Sequence, residues 1–260
     1  GGTDYFIRND RNLVKAFKED GYSFVTDRQE LLSDHNEQVL GLFAPVALPK
    51  AIDRTDEIPS LQDMTKSAIK RLSENKKGFF LMVEGSQIDW GGHDNDIVGA
   101  MSEIEDFAKA LKTAIAYAKK DRHTVVIATA DHSTGGLTVG RGSEYVFKPQ
   151  PIKAAKRTPD FMANEIKESG NVEEVLNQYI DFKLTDKEMQ SVKEAANTGD
   201  VNAIGDAIEK IFSVRSHTGW TTSGHTGVDV QVFAYGPQTD RFAGLHENTN
   251  IAKQIFDLIK

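Results

Sequence analysis

Cysteine is absent from the 260 residues of this chain. Its absence excludes disulfide bonds, thiolate zinc sites and cysteine nucleophiles, and it leaves histidine and carboxylate side chains as the strong ligands for a transition metal. Cysteine usage does not indicate the cellular compartment.

Long apolar runs and an excess of positive charge are also missing. The longest apolar segments, 79–83 and 124–130, are far shorter than the roughly 20 residues that a membrane-spanning helix requires. Acidic residues outnumber basic ones 39 to 31, which gives a net charge of -8. Because a nucleic-acid backbone is bound by basic surfaces, we expect no nucleic-acid binding. Because the apolar segments are short, we also expect no membrane span.

The first residues are Gly1-Gly2-Thr3, without an initiator methionine and without a basic or apolar signal segment. Any export signal would lie in residues that precede these. We therefore expect the chain to be part of a longer precursor.

Short apolar runs alternate with amphipathic segments along much of the chain. This order is typical of βα units, and it predicts an α/β fold with a mainly parallel central sheet flanked by helices on both faces. Candidate strands are 23–26, 39–43, 78–83, 124–129 and 230–235. Candidate helices, with apolar residues three and four apart, are 12–19, 61–74, 97–119 and 250–259.

The pattern changes between residues 136 and 220, where short charged helical stretches predominate. The predicted helices there are 159–168, 172–180, 186–196 and 201–212. We interpret 136–220 as an inserted, mostly helical subdomain. Residues 1–135 and 221–260 would then form a partial α/β metal-binding core.

Candidate metal ligands occur in three segments of the chain. They are Glu84, Asp89 and His93 in MVEGSQIDWGGHDND, Asp131 and His132 in TADH, and His225 in GHTG, with Asp94 beside the first group. Glu84 and the Asp131-His132 pair directly follow predicted buried strands, and open α/β sheets bind ligands at the carboxyl ends of their strands. Asp89 and His93 are four residues apart, which suits one helical face, although Gly91 and Gly92 favour a loop or a first helical turn.

Each candidate also has an ordinary structural interpretation. An isolated Asp-x-x-x-His is common by chance, and an Asp-His pair after a strand could cap the next segment. Glu84 could be a surface or helix N-terminal charge, and His225 could be a turn residue. The combination is more specific, because carboxylates mixed with imidazoles at two strand ends suit zinc with a magnesium-like neighbour.

The remaining histidines have weaker claims. His35, His123 and His246 have no companion ligand at a useful spacing, so we expect them to be structural or exposed. His217 competes with His225, because it also precedes Thr-Gly. The strand-like VQVFAYGP that follows only His225 favours His225.

Five segments resemble the alkaline phosphatases, especially the bacterial enzymes with a tryptophan after the first zinc-ligand aspartate. They are YFIRND, MVEGSQIDWGGHDND, TADHSTGGLT, GHTGVDVQVFAYGP and RFAGLHENTNIAKQIFDLI, and they extend along essentially the whole chain. The resemblance implies a three-layer sandwich and an extracytoplasmic location, which is secreted, periplasmic or at the cell surface.

The resemblance also implies roles for the candidate residues. Asp89, His93 and His225 would bind a first zinc, Asp131 and His132 a second zinc, and Glu84 a magnesium ion. Asp94 matches no ligand of the family and is expected to be a solvated charge. Trp90 would either line the pocket or simply pack.

The family hydrolyses phosphate monoesters with two zinc ions, through a phosphoserine intermediate that water then cleaves. Its serine lies in an Asp-Ser-Ala type motif of the amino-terminal half, which does not occur in these 260 residues. Ser86, Ser133 and Ser223 match no nucleophile of the family, and we expect them to be loop hydroxyls. The resemblance therefore implies a chain that supplies metal ligands for hydrolysis by its longer parent and is inactive alone. The implied partners are phosphate monoesters or inorganic phosphate.

A partial core should leave a strand edge or an apolar face exposed, so self-association, for instance as a homodimer, is expected. Two alternatives stay open. One is another member of the same superfamily, such as a phosphodiesterase, sulfatase or phosphomutase. The other is a non-catalytic metal-binding module.

Overall fold

The computed structural model describes residues 2–259, so the terminal residues of the predicted domain ranges 1–135 and 221–260 lie outside it. The helices are α1 (Thr3–Phe6), α2 (Leu13–Glu19), α3 (Arg28–Ser33), α4 (Leu61–Leu72), α5 (Ser86–His93), α6 (Ile97–Asp121), α7 (Gln150–Lys153), α8 (Pro159–Ser169), α9 (Val172–Tyr179), α10 (Asp186–Thr198), α11 (Val201–Ser216) and α12 (Asn248–Leu258). The strands are β1 (Ser23–Val25), β2 (Val39–Gly41), β3 (Val126–Ala128), β4 (Ser133–Thr134), β5 (Thr138–Val139), β6 (Thr218–Gly219), β7 (His225–Thr226) and β8 (Phe233–Tyr235). Within this part of the chain, no helix is long and apolar enough to cross a membrane.

The strands pair in short ladders. β1 and β2 are parallel, whereas β3 pairs with β8, β4 with β7 and β5 with β6 in antiparallel register. The combination of helices and strands confirms the α/β class. Between residues 2 and 259, however, the ladders are two-stranded and do not join into the single mainly parallel sheet that the alternation of segments suggested.

The prediction of a strand at 78–83 is wrong for the described chain, because this segment pairs with no other strand there. Its side chains nevertheless alternate as in a strand. Phe79 contacts Tyr117 of α6 with ring centroids 6.1 Å apart, while Phe80 and Met82 are 58% and 74% exposed. Alternating apolar residues indicate which face of a segment packs against the protein. A strand forms only when the backbone of a neighbouring segment can pair with it.

Residues 150–216 form a layered group of helices that share a hydrophobic core. Met162, Leu176, Ile208 and Phe212 are fully buried in it. The sequence signals for these helices are strong, since Thr158 caps α8 ahead of Pro159 and left-handed glycines end α8 and α10. The four helices predicted between 159 and 212 are present as α8 to α11, and α11 continues to Ser216 because its last turn is also buried.

The same core extends to the start of α6, where Ile97 and Val98 are both 2% exposed. A second connection runs through Asp53, whose carboxylate accepts hydrogen bonds from the backbone and hydroxyl of Thr158 at 3.0 and 2.6 Å. These contacts hold the helical group against the start of α6 and against the segment that precedes α4. The division into core and inserted subdomain remains a hypothesis.

Glu188 provides a test of how the helical group is stabilised. Its carboxylate forms a bidentate pair with Arg215 at 2.7 and 2.6 Å and completes a capping box with Thr185. The Arg215 guanidinium lowers the pKa of Glu188 to about 2, so its stabilisation is fully present above the unfolded-state pKa and is lost as the pH falls from that value toward 2.

We expect Glu188→Gln to lower the free energy of unfolding by about 1–3 kcal/mol at pH 7, because glutamine keeps the cap but loses the ion pair. Urea denaturation of both proteins between pH 8 and pH 3 measures the difference. It should be constant down to about pH 4.5 and shrink below that. A difference that grew on acidification would contradict this assignment.

Candidate metal centre

Helix α5 brings Asp89 and His93 onto one face, one turn apart, even though it contains Gly91 and Gly92. The two glycines are needed for packing. A Cβ atom at Gly91 would lie 2.9 Å from the backbone nitrogen of Ala100, and one at Gly92 would lie 2.9 Å from Cβ of Thr134. Glycine therefore allows α5 to approach both α6 and β4, and the helical alternative for Asp89 and His93 is the one that the chain adopts.

Three potential ligand atoms converge where α5 meets β7. Nε2 of His225 lies 3.2 Å from Nε2 of His93. Oδ2 of Asp89 lies 3.4 Å from Nε2 of His93, and Oδ1 of Asp89 lies 3.8 Å from Nε2 of His225. In a tetrahedral zinc site with bonds of about 2.0–2.1 Å, two ligand atoms are about 3.3 Å apart. The three side chains therefore fit a zinc ion with a fourth position open.

The tautomer of His93 also suits a metal ligand. Its Nδ1 lies 2.6 Å from the backbone carbonyl oxygen of Ser223 and donates a hydrogen bond to it. That bond leaves the lone pair of Nε2 directed toward His225, and histidine ligands are commonly oriented in this way by a carbonyl. Sequence reasoning treated Ser223 only as a loop hydroxyl and missed the role of its main chain.

The ladder between β4 and β7 positions His225. Thr134 is the register partner of His225, and its hydroxyl donates a hydrogen bond of 2.5 Å to Asp89 Oδ1. The same hydroxyl lies 3.2 Å from Nδ1 of His132. Thr134 thus contacts both groups of candidate ligands. Sequence reasoning missed it, and the available signal was a hydroxyl residue two positions after His132.

Asp131 and His132 lie beside the first three residues. The ring of His132 stacks on that of His225 with centroids 3.6 Å apart. Nε2 of His132 is 3.2 Å from Oδ2 of Asp131, whose side chain is 87% exposed. This pair presents two ligand atoms at a spacing that again suits one metal ion.

The other sequence candidates form no hydrogen bond or ion pair with these side chains in the part of the chain that the structure describes. Glu84 is exposed in the segment before α5 and has no hydrogen bond or ion pair within residues 2–259. Trp90 is 46% exposed, whereas Trp220, which sequence reasoning did not single out, lines a large cleft beside α11. His217 ends α11 in a left-handed conformation, and its Nδ1 is 3.6 Å from the carboxylate of Glu144.

Asp94 is exposed, as expected of a solvated charge, but it also forms an ion pair that the sequence did not indicate. Its carboxylate lies 2.6 Å from Nζ of Lys50, whose side chain is only 10% exposed. A buried ammonium group needs a counter-charge, because desolvation of an unpaired charge is costly. Asp94 provides that charge at the carboxyl end of α5.

The contact from Thr134 to Asp89 can be tested separately from the candidate ligands. We expect Thr134→Val to weaken zinc binding about 10–100-fold, because the variant loses the hydrogen bond that orients the carboxylate. Thr134→Ser keeps a hydroxyl and should bind like the unmodified chain. Competition titration with a zinc chelator measures both, and equal affinities for Val and Ser would show that the hydroxyl has no such role.

Comparison with known proteins shows which family the chain resembles. The family model described as alkaline phosphatase matches residues 3–260. Alkaline phosphatase 3 of Bacillus subtilis (strain 168) is 60% identical over 263 residues, which are 100% of this chain and 57% of that protein. The chain thus spans a little over half the length of this relative.

Solved structures give the same result. The crystal structure of the cold-active alkaline phosphatase from a psychrophilic Shewanella sp. matches with a TM-score of 0.93 and 40% identity, over 100% of this chain and 64% of that one. A variant of the TAB5 alkaline phosphatase, whose structure holds bound magnesium, matches with a TM-score of 0.61 and 28% identity, over 100% and 59%. The chain belongs to the alkaline phosphatase family.

Proposed function

We propose that the longer protein containing this chain hydrolyses phosphate monoesters through a phosphoserine intermediate. The observation that carries the proposal is the convergence of Asp89, His93 and His225 at zinc-ligand spacing in a chain of this family. Zinc ions in such a centre supply Lewis-acid stabilisation of phosphoryl oxygens. The chain's own contribution is to hold the ligands, with His93 oriented by a carbonyl and Asp89 by Thr134.

We assign Asp89, His93 and His225 to the first zinc, Asp131 and His132 to the second, and Glu84 to magnesium. Support for the second zinc is the stacking of His132 on His225 and the spacing of its ring from Asp131. Support for Glu84 is its resemblance to the family ligand together with its exposure before α5. Trp90, also exposed on α5, remains a proposed wall of the substrate pocket.

The 260-residue chain alone is proposed to be inactive. No Asp-Ser-Ala motif occurs in it. The contacts that Ser133 and Ser223 make near the ligands come from their main chains, Ser133 in the β4–β7 ladder and Ser223 through the carbonyl that orients His93. The proposed substrate class is phosphate monoesters, with inorganic phosphate as product, and the proposed location is extracytoplasmic.

The test compares the 260-residue chain with the product of its complete reading frame, both loaded with zinc and magnesium. We expect p-nitrophenyl phosphate turnover from the longer protein and none above background from the mass-verified chain. His225→Ala in the longer protein should lower kcat/KM by more than about 100-fold, beyond the usual cost of a change outside the ligands. Turnover by the chain alone at a rate like that of the longer protein would refute the proposed division of roles.

The same assay distinguishes the alternatives. A diesterase or sulfatase would cleave bis-p-nitrophenyl phosphate or p-nitrophenyl sulfate faster than the monoester, and a metal-binding module would cleave none. The identity of 60% to a named alkaline phosphatase favours the monoester. Self-association through the apolar face around Phe80 and Met82 is a further proposal, and sedimentation at several concentrations tests it.

A further inference from the structure

Helix α5 ends directly after His93, in a tight turn that leads into α6. The backbone N–H of Asp96 donates to the carbonyl oxygen of Gly91 at 2.9 Å, and that of Asn95 donates to the carbonyl oxygen of Gly92 at 3.2 Å. Asn95 itself is left-handed, with φ +57°. Two such bonds around a left-handed residue form the Schellman motif that ends many helices. Because His93 is the last residue of α5 before the motif, its position depends on how this turn is held.

Asp94, the residue after His93, carries a charge that this end of a helix disfavours. The last carbonyl groups of a helix are unpaired and partly negative, so a carboxylate beside them is repelled. Nζ of Lys50 lies 2.6 Å from Oδ2 of Asp94, and the two side chains are 10% and 40% exposed. The ammonium group offsets the carboxylate and also the negative end of the helix dipole. Because the pair is partly screened from water, it stabilises the turn more than a fully exposed pair would.

Lys50 belongs to a segment, residues 48–54, that is itself attached to both helices. The carbonyl oxygen of Leu48 accepts a hydrogen bond of 3.1 Å from the side chain of Gln87 in α5. The stem of Lys50 packs against Gly99 in the first turn of α6, where an added Cβ would lie 2.8 Å from Cδ of Lys50. Glycine at this position thus leaves room for the buried stem. The ammonium group therefore reaches the turn from a fixed base rather than from a mobile surface side chain.

We propose that Lys50 is a positioning residue of the zinc centre, which acts through Asp94 to fix the last turn of α5 and thereby the backbone of His93. This inference rests on the proposed first zinc site. The hydrogen bond from Nδ1 of His93 to Ser223 fixes the rotation of the imidazole ring, whereas the pair made by Lys50 fixes the backbone that carries the ring. Both keep Nε2 of His93 at ligand spacing, 3.2 Å from Nε2 of His225.

The sign of the effect separates this role from a purely electrostatic one. The ammonium group of Lys50 repels a nearby dication, so its removal would strengthen zinc binding if charge alone mattered. Loss of a group that orients a ligand weakens metal binding instead. A lysine that merely stabilised the fold would change neither the zinc affinity nor the geometry of the folded centre.

The first variant is Lys50→Met, tested in the 260-residue chain by competition titration with a zinc chelator. Methionine keeps the apolar stem and removes the ammonium group, and the partly exposed Asp94 can then be hydrated. We expect about tenfold weaker zinc binding, at the lower end of the cost of changes to groups that orient ligands. The visible absorption spectrum of the cobalt-loaded chain should change as well, because it reports the geometry of the ligands.

Two other changes complete the test. Lys50→Gln also lacks the charge but keeps a hydrogen-bond donor, and it should shift both measurements in the same direction if Lys50→Met does not fold. Asp94→Asn shows whether Lys50 acts through Asp94. Adding Lys50→Met to Asp94→Asn should change zinc affinity by less than about twofold, because the changes act on one coupled pair. An equal loss from Lys50→Met in both backgrounds would overturn the proposal, since independent effects add.

Glu188→Gln is the control for stability, because it weakens the ion pair with Arg215 in the helical group rather than a contact of α5. Its zinc affinity and cobalt spectrum should equal those of the unmodified chain. Equal losses in Glu188→Gln and Lys50→Met would show that lost stability is the cause, and they would overturn the proposal.

Failure of this inference is distinguishable from failure of the proposed function. If the unmodified chain binds zinc through His225 while Lys50→Met binds it equally or more tightly, the zinc centre stands and the role of Lys50 is overturned. Absence of zinc binding by the unmodified chain would refute the centre itself, and the role of Lys50 with it.

Discussion

Replacing His225 with alanine is expected to lower the zinc affinity of the 260-residue chain by more than about 100-fold, which exceeds the usual cost of changes outside the ligands. The reason is geometric. His225 contributes the nitrogen that lies 3.2 Å from Nε2 of His93, and without it only two of the three converging ligand atoms remain. Chelator competition at fixed pH measures the change, since zinc affinity depends on ligand protonation.

Two other histidines supply matched controls. His35 is exposed and lies far along the chain from the centre, while His217 was the competing sequence candidate and instead lies 3.6 Å from Glu144. His35→Ala and His217→Ala should leave zinc affinity unchanged within about twofold, a small effect on the scale of orienting interactions. A large loss in His217→Ala with none in His225→Ala would reverse the assignment.

Gly135→Ala is expected to destabilise the chain by about 2–5 kcal/mol, the sum of left-handed backbone strain and overpacking. Gly135 has φ +78°, and a Cβ there would lie 2.6 Å from the carbonyl oxygen of Gly92 and 2.6 Å from the ring of Trp220. Both neighbours are held in place, one by α5 and the other by its packing on the helical core. Displacing either would also move Thr134, which orients Asp89.

Gly142→Ala separates the two causes. Gly142 also has a positive φ, +66°, but nothing lies within 4 Å of the position of its Cβ. We expect a loss of only about 1 kcal/mol there, from backbone strain alone. Urea denaturation of metal-free protein avoids stabilisation by bound ions, and equal losses at the two glycines would contradict the close packing of α5 against Gly135.

The helices were predictable because their signals are local. Thr158 before Pro159, the Thr185 and Glu188 capping box, and the apolar period of α11 together indicate where helices begin and which face is buried. Their ends were less predictable, since burial of the last turn of α11 depends on packing that no local pattern encodes.

The segment 78–83, which was predicted as a strand, shows what a local pattern cannot predict. Its apolar alternation is real, with Phe80 and Met82 exposed on one face, but pairing depends on a neighbouring strand rather than on the segment itself. The same reason explains why one continuous sheet was expected and separate ladders are present between residues 2 and 259.

The candidate metal centre was also predictable only in part. Asp89, His93 and His225 could be proposed from residue type and motif, and the structure brings them together. Thr134 and the Ser223 carbonyl could not, because their roles depend on contacts between segments distant in sequence. The ion pair of Asp94 was missed for that reason, since its partner Lys50 lies 44 positions earlier.

The central claim is that Asp89, His93 and His225 together bind zinc. Anomalous scattering from a crystal of the zinc-loaded chain, recorded on both sides of the zinc absorption edge, tests it most directly. We predict an anomalous peak about 2.0–2.2 Å from Nε2 of His93, Nε2 of His225 and a carboxylate oxygen of Asp89. Zinc-edge density at His217 or elsewhere, with none between these three side chains, would contradict the account.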